Sequence, residues 1–397
     1  MHFILLFSEK RNDSTMKTAV MYGAGNIGRG FIGQVLHDSG YEVAFIDVNM
    51  EVVDALNAKK SYTQMIVSEK GCDEVIIDNV RGVDGRDNDA VAEEIASCEL
   101  MATSLGANVL RFVAGNIAAG IKKRAARGGS PLNILICENL MDSAKYLRGL
   151  LEPHFSADEM HLLDNTGLVE AVIGRMVPAL TPEMQAGDVT KIAVEPFCEL
   201  PVNKEGFRGE IPYVKYMIPF TPFAFYEERK LYIHNMGHAI TAYFGYLKGY
   251  KYIYEAIADK DIYDRVRRAM SSVAAAISKF YSQDIAALNA NVEDLLHRFS
   301  NKALGDLVVR VGQDPMRKLM PLDRFIGAIN RCKSVGAPYE DILNAVAAAL
   351  KFDYADDKTA PVLQERLKTD GIEKFLSEYC ALDSADINAC IEFYNSL

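Results

Sequence analysis

Residues 230–239 bring a lysine, an asparagine and a histidine close together, as Lys230, Asn235 and His238. A lysine can exchange a proton with a substrate hydroxyl, and an asparagine amide can donate a hydrogen bond to a developing oxyanion. In an α-helix, His238 would lie about 60° around the axis from Asn235 and about 80° from Lys230, whereas Lys230 and Asn235 would lie about 140° apart. The three side chains converge only if the lysine folds across the helix. The alternative interpretation is a surface lysine, a capping asparagine and a buried histidine.

A second histidine, His234, lies four residues before His238, which is the spacing of a helical metal pair. Zinc sites need three or four ligands, and no acid or third ligand accompanies this pair at a known spacing. We therefore expect no metal here.

A glycine-rich hexapeptide begins at Gly23, between a predicted strand at residues 17–22 and a predicted helix at residues 27–39. In a dinucleotide-binding fold, Gly23 permits a tight turn, Gly25 lets the backbone approach a pyrophosphate, and Gly28 lets the helix pack on the strand. The N–H groups at the helix N-terminus are free to bind phosphate. The loop residues predicted to contact the cofactor are Gly23, Gly25, Asn26, Ile27 and Gly28.

An acidic residue, Asp47, follows the next predicted strand at residues 41–46 and lies 19 residues after Gly28. A carboxylate in this place accepts hydrogen bonds from the ribose hydroxyls of adenosine and repels a 2′-phosphate. The pattern therefore predicts NAD rather than NADP as the cofactor.

Polar residues also follow two later predicted strands. The first strand runs from Glu99 into a turn that holds Thr103 and Gly106, and the second spans residues 132–137, just before Asn139. Because ligands of open parallel sheets bind at the carboxyl ends of strands, we expect Thr103 and Gly106 at the cofactor and Asn139 at its nicotinamide end. Asn139 could equally cap a helix that begins at Leu140.

These motifs predict an α/β fold with two domains. An N-terminal Rossmann-type, doubly wound sheet domain is expected at residues 16–190, and a mostly α-helical C-terminal domain at residues 191–397. Residues 1–15 are interpreted as an extension outside the fold. A cleft between the two domains is the usual place for a substrate. Helices of the second domain are predicted at residues 254–279, 292–300, 321–332, 339–350 and 385–395.

Composition limits the partners and the compartment. The formal net charge is −11, and the lysines and arginines are dispersed, which argues against nucleic acid. No apolar run approaches the 18 or so residues that a membrane span needs. The seven cysteines form no CxxC pair, which favours free thiols in a reducing compartment. We expect a cytoplasmic protein, either a monomer or a homodimer, that binds a small molecule.

The segment from Lys230 to His238 resembles the signature of the polyol-specific long-chain dehydrogenases, the mannitol dehydrogenase family. The resemblance extends in order from Lys17 to the C-terminus. The other segments that carry it are residues 23–33, 137–139, 175–178, 194–199, 228–243 and 310–319, followed by Asp323 and Arg324. The chain length suits the shorter branch of the family, which uses phosphorylated substrates.

This resemblance implies NAD-dependent hydride transfer between mannitol 1-phosphate and fructose 6-phosphate. It implies that Lys230 is the acid–base residue, so its pKa must be depressed by burial or by the positive nicotinamide ring. Asn139 and Asn235 would donate hydrogen bonds to the oxyanion. His238 would hold a substrate hydroxyl or orient Lys230.

Three cations in one segment, Arg310, Arg317 and Lys318, are candidates for binding the phosphate. The alternative is a solvated helix end or ion pairs with Asp314 or Asp323.

Two further positions depart from the pattern of the branch. Gly174 stands where an acid is usual, and residues 201–203 lack the expected aromatic side chain. Both departures could reshape the substrate pocket.

Two other functions fit the same sequence features. One keeps the family but changes the substrate to an unphosphorylated polyol, as in mannitol 2-dehydrogenases, or to a hexuronate such as tagaturonate or fructuronate. The other is a redox sensor that binds NAD without turnover. A sensor has no need of Lys230, Asn235 and His238 together, which argues against it.

Overall fold

The structure is a computed structural model that describes residues 16–178, 180 and 182–397. The predicted extension at residues 1–15 lies outside the described residues. The strands in chain order are β1 (Thr18–Tyr22), β2 (Glu42–Asp47), β3 (Ser61–Ser68), β4 (Gly71–Asp78), β5 (Val80–Asp84), β6 (Leu100–Thr103), β7 (Asn133–Ile136), β8 (Gly167–Glu170), β9 (Ile192–Val194), β10 (Leu200–Asn203) and β11 (Met217–Phe220).

Six of these strands form one parallel sheet in the order β5-β2-β1-β6-β7-β8. The order reverses between β1 and β6, where ligands of doubly wound sheets bind. In β1, Ala19 and Met21 belong to the apolar core on one face, and Val20 and Tyr22 to the core on the other. Because both faces of the sheet are buried, these strands appear in the sequence as continuous apolar runs. The predicted Rossmann-type domain is confirmed.

A second sheet, in the order β4-β3-β9, was not predicted. It packs against the helix that follows the glycine-rich loop, where residues 28–32 form a π-helical turn. Such a turn shifts backbone hydrogen bonds to i→i+5 and frees carbonyl groups. Tyr62 donates a hydrogen bond of 2.6 Å to the Arg29 carbonyl, and Gln64 one of 2.9 Å to the Gly30 carbonyl. The second sheet therefore supports the wide turn behind the loop.

The second half is mostly helical, as predicted. The predicted helix at residues 254–279 is in fact two helices, Ile253–Ala258 and Lys260–Tyr281. Asp259 separates them because its carboxylate accepts the N–H groups of Asp261 and Ile262 and so caps the second helix. Helix Lys260–Tyr281 packs against Met236–Leu247 in a continuous apolar core.

The helices are bounded as follows. The α-helices are Gly33–His37, Met50–Lys59, Asn88–Ser97, Ala107–Ala126, Ser143–Leu151, Met160–Asp164, Pro182–Gln185, Ala224–Glu228, Met236–Leu247, Ile253–Ala258, Lys260–Tyr281, Ile285–Phe299, Val308–Gly312, Pro315–Lys318, Ile326–Val335, Glu340–Leu350, Ala360–Thr369, Ile372–Lys374 and Ser384–Ser396. The π-helical turns are Gly28–Ile32, Arg229–Asn235 and Phe375–Tyr379, and the 3₁₀ turns are Glu152–His154, Ala157–Glu159, Lys204–Gly206 and Lys302–Leu304. Within the described ranges, no helix has the length and apolar character that crossing a membrane requires.

Candidate active site

Two adjoining cavities lie between the sheet domain and the helical domain. The loop-side cavity, of about 510 Å³, is lined by Ile27 and Gly106 on one side and by His238 on the other. The Glu227 cavity, of about 470 Å³, is named for the glutamate in its wall. The residues that line both are Glu138, Asn139, Ile173, Lys230, Asn235, Arg317 and Arg324. The cleft is therefore continuous, and Lys230 lies where its two parts meet.

Lys230 and Asn235 lie in a π-helical turn, Arg229–Asn235. The angle of about 140° expected between them applies to an α-helix. In a π-helix, residue i+5 follows residue i by about one turn, so the two side chains share a face. Lys230 Nζ donates to Asn235 Oδ1 at 3.4 Å. The wider turn brings the pair together without the lysine folding across the helix.

Burial, followed by the positive charges of Arg324 and Arg298, lowers the pKa of Lys230 to about 8, and Glu195 opposes this shift. A substantial fraction of this lysine is therefore neutral near physiological pH. A neutral amine can accept a proton from a hydroxyl group, and the corresponding ammonium can return one.

His238 is held by the Asp306 carboxylate, with Nε2 and Oδ2 separated by 3.2 Å, and stacks on Phe299 with ring centroids 4.8 Å apart. Its pKa is lowered chiefly by burial, against the opposing effect of Asp306. A carboxylate can only accept a hydrogen bond, so neutral His238 carries its proton on Nε2 and keeps Nδ1 as an acceptor.

Asn139 follows β7 and lines both cavities. It does not cap a helix, because the next helix begins at Ser143 with Asp142 in the capping position. The neighbouring Glu138 is buried, and its carboxylate accepts the N–H groups of Leu105 at 3.0 Å and Gly106 at 2.8 Å. Glu138 therefore ties the end of β7 to the loop after β6.

The glycine-rich loop has the geometry that a dinucleotide requires. Gly23 has φ +108°, and a Cβ on Gly28 would lie 1.9 Å from the Gly23 carbonyl oxygen, so neither position tolerates a side chain. A Cβ on Gly25 would meet nothing within 4 Å, which leaves open space in front of the backbone. Asn26 lies in the same exposed turn, and Ile27 reaches the loop-side cavity.

Asp47 and Thr103 lie at the ends of β2 and β6 on either side of this loop. Asp47 accepts the Ala24 N–H at 2.7 Å and the Asn49 N–H at 2.9 Å, which fixes its carboxylate beside the loop. Thr103 is fully buried, and its hydroxyl has no hydrogen-bond partner among the described residues. The Thr103 side chain thus lies beneath the loop, while Gly106 lines the loop-side cavity.

The three candidate phosphate-binding cations differ in their partners. Arg310 donates to Asp306 at 2.7 Å, and Arg317 donates to Asp314 at 2.8 Å and to Asp323 at 3.1 Å. Lys318 is only 3% exposed and donates to the Gln313 carbonyl. Among the described residues, no carboxylate lies within ion-pair distance of Lys318. All three side chains line the loop-side cavity.

Several residues in or near the cleft were not singled out by the sequence. Arg298 and Glu195 form a buried ion pair, with 2.6 Å between Nη2 and Oε1, and Arg298 also donates to the Gly174 carbonyl at 2.6 Å. Glu227 lines its cavity with a pKa raised to about 7, first by burial and then by Glu170 and other acids nearby. The segment at residues 194–199 was a signal for Glu195, whereas nothing in the spacing indicated Arg298 or Glu227.

Within residues 16–178, 180 and 182–397, no group of three His, Cys, Asp or Glu side chains could hold a metal ion. His234 and His238 are near one another, with ring centroids 6.3 Å apart.

Comparisons with known proteins agree with this architecture. The sequence model of the mannitol dehydrogenase Rossmann domain matches residues 17–215, and that of the mannitol dehydrogenase C-terminal domain matches residues 223–389. The mannitol-1-phosphate 5-dehydrogenase of Brevibacillus brevis is 38% identical over 359 residues, which are 90% of this chain and 92% of that protein. The enzyme of the same name from Shouchella clausii is 36% identical over 370 residues, or 93% and 96% of the two chains.

Two solved structures share the fold. The ternary complex of Pseudomonas fluorescens mannitol 2-dehydrogenase with NAD and D-mannitol aligns with a TM-score of 0.72 at 17% identity, covering 96% of this chain and 92% of that chain. A substrate-free D-sorbitol dehydrogenase aligns with a TM-score of 0.77 at 16% identity, covering 96% and 93%. The two domain matches and the relatives above 30% identity confirm the predicted resemblance: the chain belongs to the mannitol dehydrogenase family.

Proposed function

We propose that this protein is an NAD-dependent mannitol-1-phosphate 5-dehydrogenase that interconverts mannitol 1-phosphate and fructose 6-phosphate. The observation that carries the proposal is Lys230, a half-buried lysine with its pKa lowered to about 8, in contact with Asn235 at the junction of the two cavities. Relatives that match more than 90% of their own length bear this enzyme's name.

The loop residues fit NAD, because the backbone at Gly25 is open to a ligand and Asp47 is fixed beside it. When bound, NAD supplies the acceptor for the hydride. Neutral Lys230 takes the proton of the substrate hydroxyl, and in the reverse direction the Lys230 ammonium protonates the forming alkoxide. Because Asn235 Oδ1 accepts from Lys230, the Asn235 amide N–H groups remain free to donate to the substrate oxygen.

Two other side chains complete the assignment. Asn139 faces the same cleft from the sheet domain and is proposed as the second oxyanion donor. His238 is proposed to accept a hydrogen bond at Nδ1 from a neighbouring substrate hydroxyl, since its Nε2 is committed to Asp306.

For the phosphate we propose Lys318 together with Arg324. A buried cation that lacks an anionic partner is unfavourable, and a bound phosphate would supply that partner. Arg324 lies in the wall of the same cavity, and its charge acts on both Lys318 and Lys230. Its Nε donates to Asp323 at 2.7 Å, but neither of its two Nη groups has a hydrogen-bond partner among the described residues. Arg317 and Arg310 are each occupied by carboxylates, so we assign them supporting roles. The cytoplasmic location and the monomeric or homodimeric state remain predictions.

The test is NADH oxidation with fructose 6-phosphate, measured beside fructose, tagaturonate and fructuronate. Turnover with fructose 6-phosphate, little with the other three, and its loss in Lys230→Met with NADH binding retained would support the proposal. Turnover restricted to fructose or to a hexuronate would keep the family and refute the phosphorylated substrate. NADH binding without turnover of any of the four would instead favour the redox sensor.

A further inference from the structure

Arg29, which directly follows the glycine-rich hexapeptide, is a buried cation with no role in the mechanism described above. Its side chain is only 7% exposed. The guanidinium donates to three backbone carbonyls, from Nε to Ala24 at 2.6 Å and from Nη1 to Val189 at 3.0 Å and Thr190 at 2.5 Å. Arg29 therefore ties the glycine-rich loop to the segment before β9, which lies 160 residues further along the chain.

These contacts, together with Asp47, hold Ala24 from both sides. The Ala24 N–H donates to the Asp47 carboxylate at 2.7 Å, and the Ala24 carbonyl accepts from Arg29 Nε. Ala24 is only 2% exposed, so solvent has little access to either group. The orientation of both peptide groups that flank Ala24 is thus fixed by side chains that the sequence supplies from outside the turn.

The Ala24 carbonyl belongs to the same peptide group as the Gly25 N–H, and this peptide is trans. In a planar trans peptide the C=O and N–H bonds point in opposite directions. Because the carbonyl points at the buried Arg29 side chain, the Gly25 N–H must point away from it. In the described part of the chain this N–H has no hydrogen-bond partner, and Gly25 is exposed, with open space in front of its backbone. The Gly25 N–H is therefore available to an acceptor outside the protein.

Nothing in the turn itself would keep this peptide group in place. Glycine adopts positive and negative φ with similar ease, so the Ala24–Gly25 peptide could rotate by half a turn without a steric penalty at Gly25. The rotated peptide would direct the Ala24 carbonyl oxygen outwards. A carbonyl oxygen repels phosphate oxygens, whereas an N–H group binds them.

We propose that Arg29 is a positioning residue of the cofactor site, and that by holding the Ala24 carbonyl it aims the Gly25 N–H at the pyrophosphate of NAD. The inference rests on the NAD binding of the proposed function and is independent of the identity of the polyol or ketose. Arg29 acts through the peptide group and not by contact with the phosphates, because its own side chain is buried.

The other way in which this cation could assist the cofactor is through its charge. Burial lowers the pKa of Arg29, and Asp47 is among the groups that oppose this shift. An arginine remains charged in a protein even so, and a positive charge near the loop favours a pyrophosphate whatever the orientation of the peptide. The two effects are separable, since the first needs a hydrogen-bond donor at Nε and the second needs only the charge.

Three substitutions separate donor from charge. In Arg29→Gln the side-chain amide nitrogen takes the position of Nε, so the donor to Ala24 is kept and the charge is lost. In Arg29→Met a methyl group takes that position, so both are lost. Arg29→Lys keeps the charge but has a methylene group where Nε was. Arg267→Met, at an exposed arginine of the helical domain, is the control.

The measurement is binding to the full-length protein, with no substrate present. NADH is titrated by its fluorescence, and ADP and adenosine are measured by the displacement of NADH. ADP carries the two phosphates that the Gly25 N–H would bind, and adenosine lacks them. For Arg29→Gln we expect affinities for NADH and ADP within about threefold of the wild type, and for Arg29→Met and Arg29→Lys a loss of roughly tenfold. Adenosine should bind to all variants within about twofold of the wild type, because it makes no contact with this peptide.

The outcomes distinguish this inference from the proposed function. If Arg29→Lys binds ADP as the wild type does while Arg29→Gln loses affinity, the charge matters and the positioning role is wrong. The role is also wrong if all three variants bind ADP equally, or if adenosine is weakened as much as ADP, which indicates a loss of packing. Should Arg29→Met not fold, tighter ADP binding by Arg29→Gln than by Arg29→Lys supports the role, and the reverse order overturns it. A wild type that binds no NADH would refute the proposed cofactor, and this inference with it.

Discussion

Replacing Lys318 by methionine should make the protein more stable and at the same time less able to recognise phosphate. Burial, followed by Arg324 and Arg317, lowers the pKa of Lys318 from 10.5 to about 7. Each pKa unit corresponds to about 1.4 kcal/mol, so burying this ammonium costs the folded protein about 4 to 5 kcal/mol at low pH. Removing the ammonium does not recover all of this energy, because a methionine side chain packs imperfectly against the polar wall of the cavity. We therefore expect Lys318→Met to gain about 2 kcal/mol in unfolding free energy at pH 7.

The pH dependence of this gain has a definite sign. The folded pKa of about 7 lies below the value of 10.5 for a free lysine. The unfolded chain therefore binds more protons than the folded one, and the penalty is fully present below pH 7. It decreases as the pH rises from 7 and vanishes above 10.5. The stabilisation of Lys318→Met relative to the wild type should thus be largest in neutral and acidic buffer. It should be lost in strongly alkaline buffer, where only the packing cost of the methionine remains.

Inorganic phosphate supplies the second measurement. Phosphate that binds the folded wild type raises its melting temperature, because ligand binding adds to the free energy of unfolding. Lys318→Met should lose most of this response, and its kcat/KM for fructose 6-phosphate should fall roughly 10- to 100-fold while that for fructose changes little. Lys368→Met, at an exposed lysine, serves as the control. A variant that is less stable than the wild type at neutral pH, or that responds fully to phosphate, would refute the reasoning.

Three further predictions concern the base, the cofactor and the domain contact. If neutral Lys230 is the base, as proposed, kcat/KM for polyol oxidation should rise with pH to a plateau above about 8, and Lys230→Met should lower kcat by at least about 100-fold. The pH profiles of oxidation and reduction check this. Asp47→Ala should weaken NADH binding and narrow the preference for NADH over NADPH, as measured by fluorescence titration of both. Arg298→Leu leaves the buried Glu195 carboxylate without its ion-pair partner and should lower the unfolding free energy by about 3 to 5 kcal/mol. Combining it with Glu195→Leu should restore part of the melting temperature.

The cofactor loop was predictable from the sequence because its determinants are local. Gly23, Gly25 and Gly28 each serve a contact within a few residues or with an adjacent strand, and Asp47 follows at a spacing set by one strand–helix–strand unit. The two domains were also predictable, since continuous apolar strands and helical periodicity persist over long stretches. The structure adds the second sheet, β4-β3-β9, whose strands support the π-helical turn behind the loop.

The sequence singled out Lys230 and Asn235 as candidates but did not predict the geometry that brings them together. The angular argument for Lys230 and Asn235 assumed α-helical spacing, and nothing in the residues between them indicated the π-helical turn that joins them. Pairs distant in sequence, such as Glu195 with Arg298, depend on how the two domains pack. The partners of the cations depend on loop geometry, which is why Lys318 could not be distinguished from Arg310 and Arg317 by sequence alone.

On these assignments, the distribution of charge in the cleft would link phosphate binding to the protonation state of Lys230. Arg324 lies in the wall shared by both cavities, and its positive charge lowers the pKa of Lys230. A phosphate dianion held by Lys318 and Arg324 would offset that charge and raise the pKa of Lys230 again. The phosphorylated substrate would then favour the ammonium form of Lys230, which is the form that reduction of the ketose needs.

This coupling predicts different pH profiles for two ketoses in the same enzyme. In reduction, the pH at which kcat falls to half should be higher for fructose 6-phosphate than for fructose, by on the order of one pH unit. Since kcat reports the pKa in the enzyme–substrate complex and both reactions use NADH, the cofactor's contribution is the same in each profile. In Lys318→Met, the two midpoints should approach each other. Identical midpoints in the wild type would show that the phosphate lies too far from Arg324 to affect the base, and the assignment of Arg324 to the phosphate site would then be wrong.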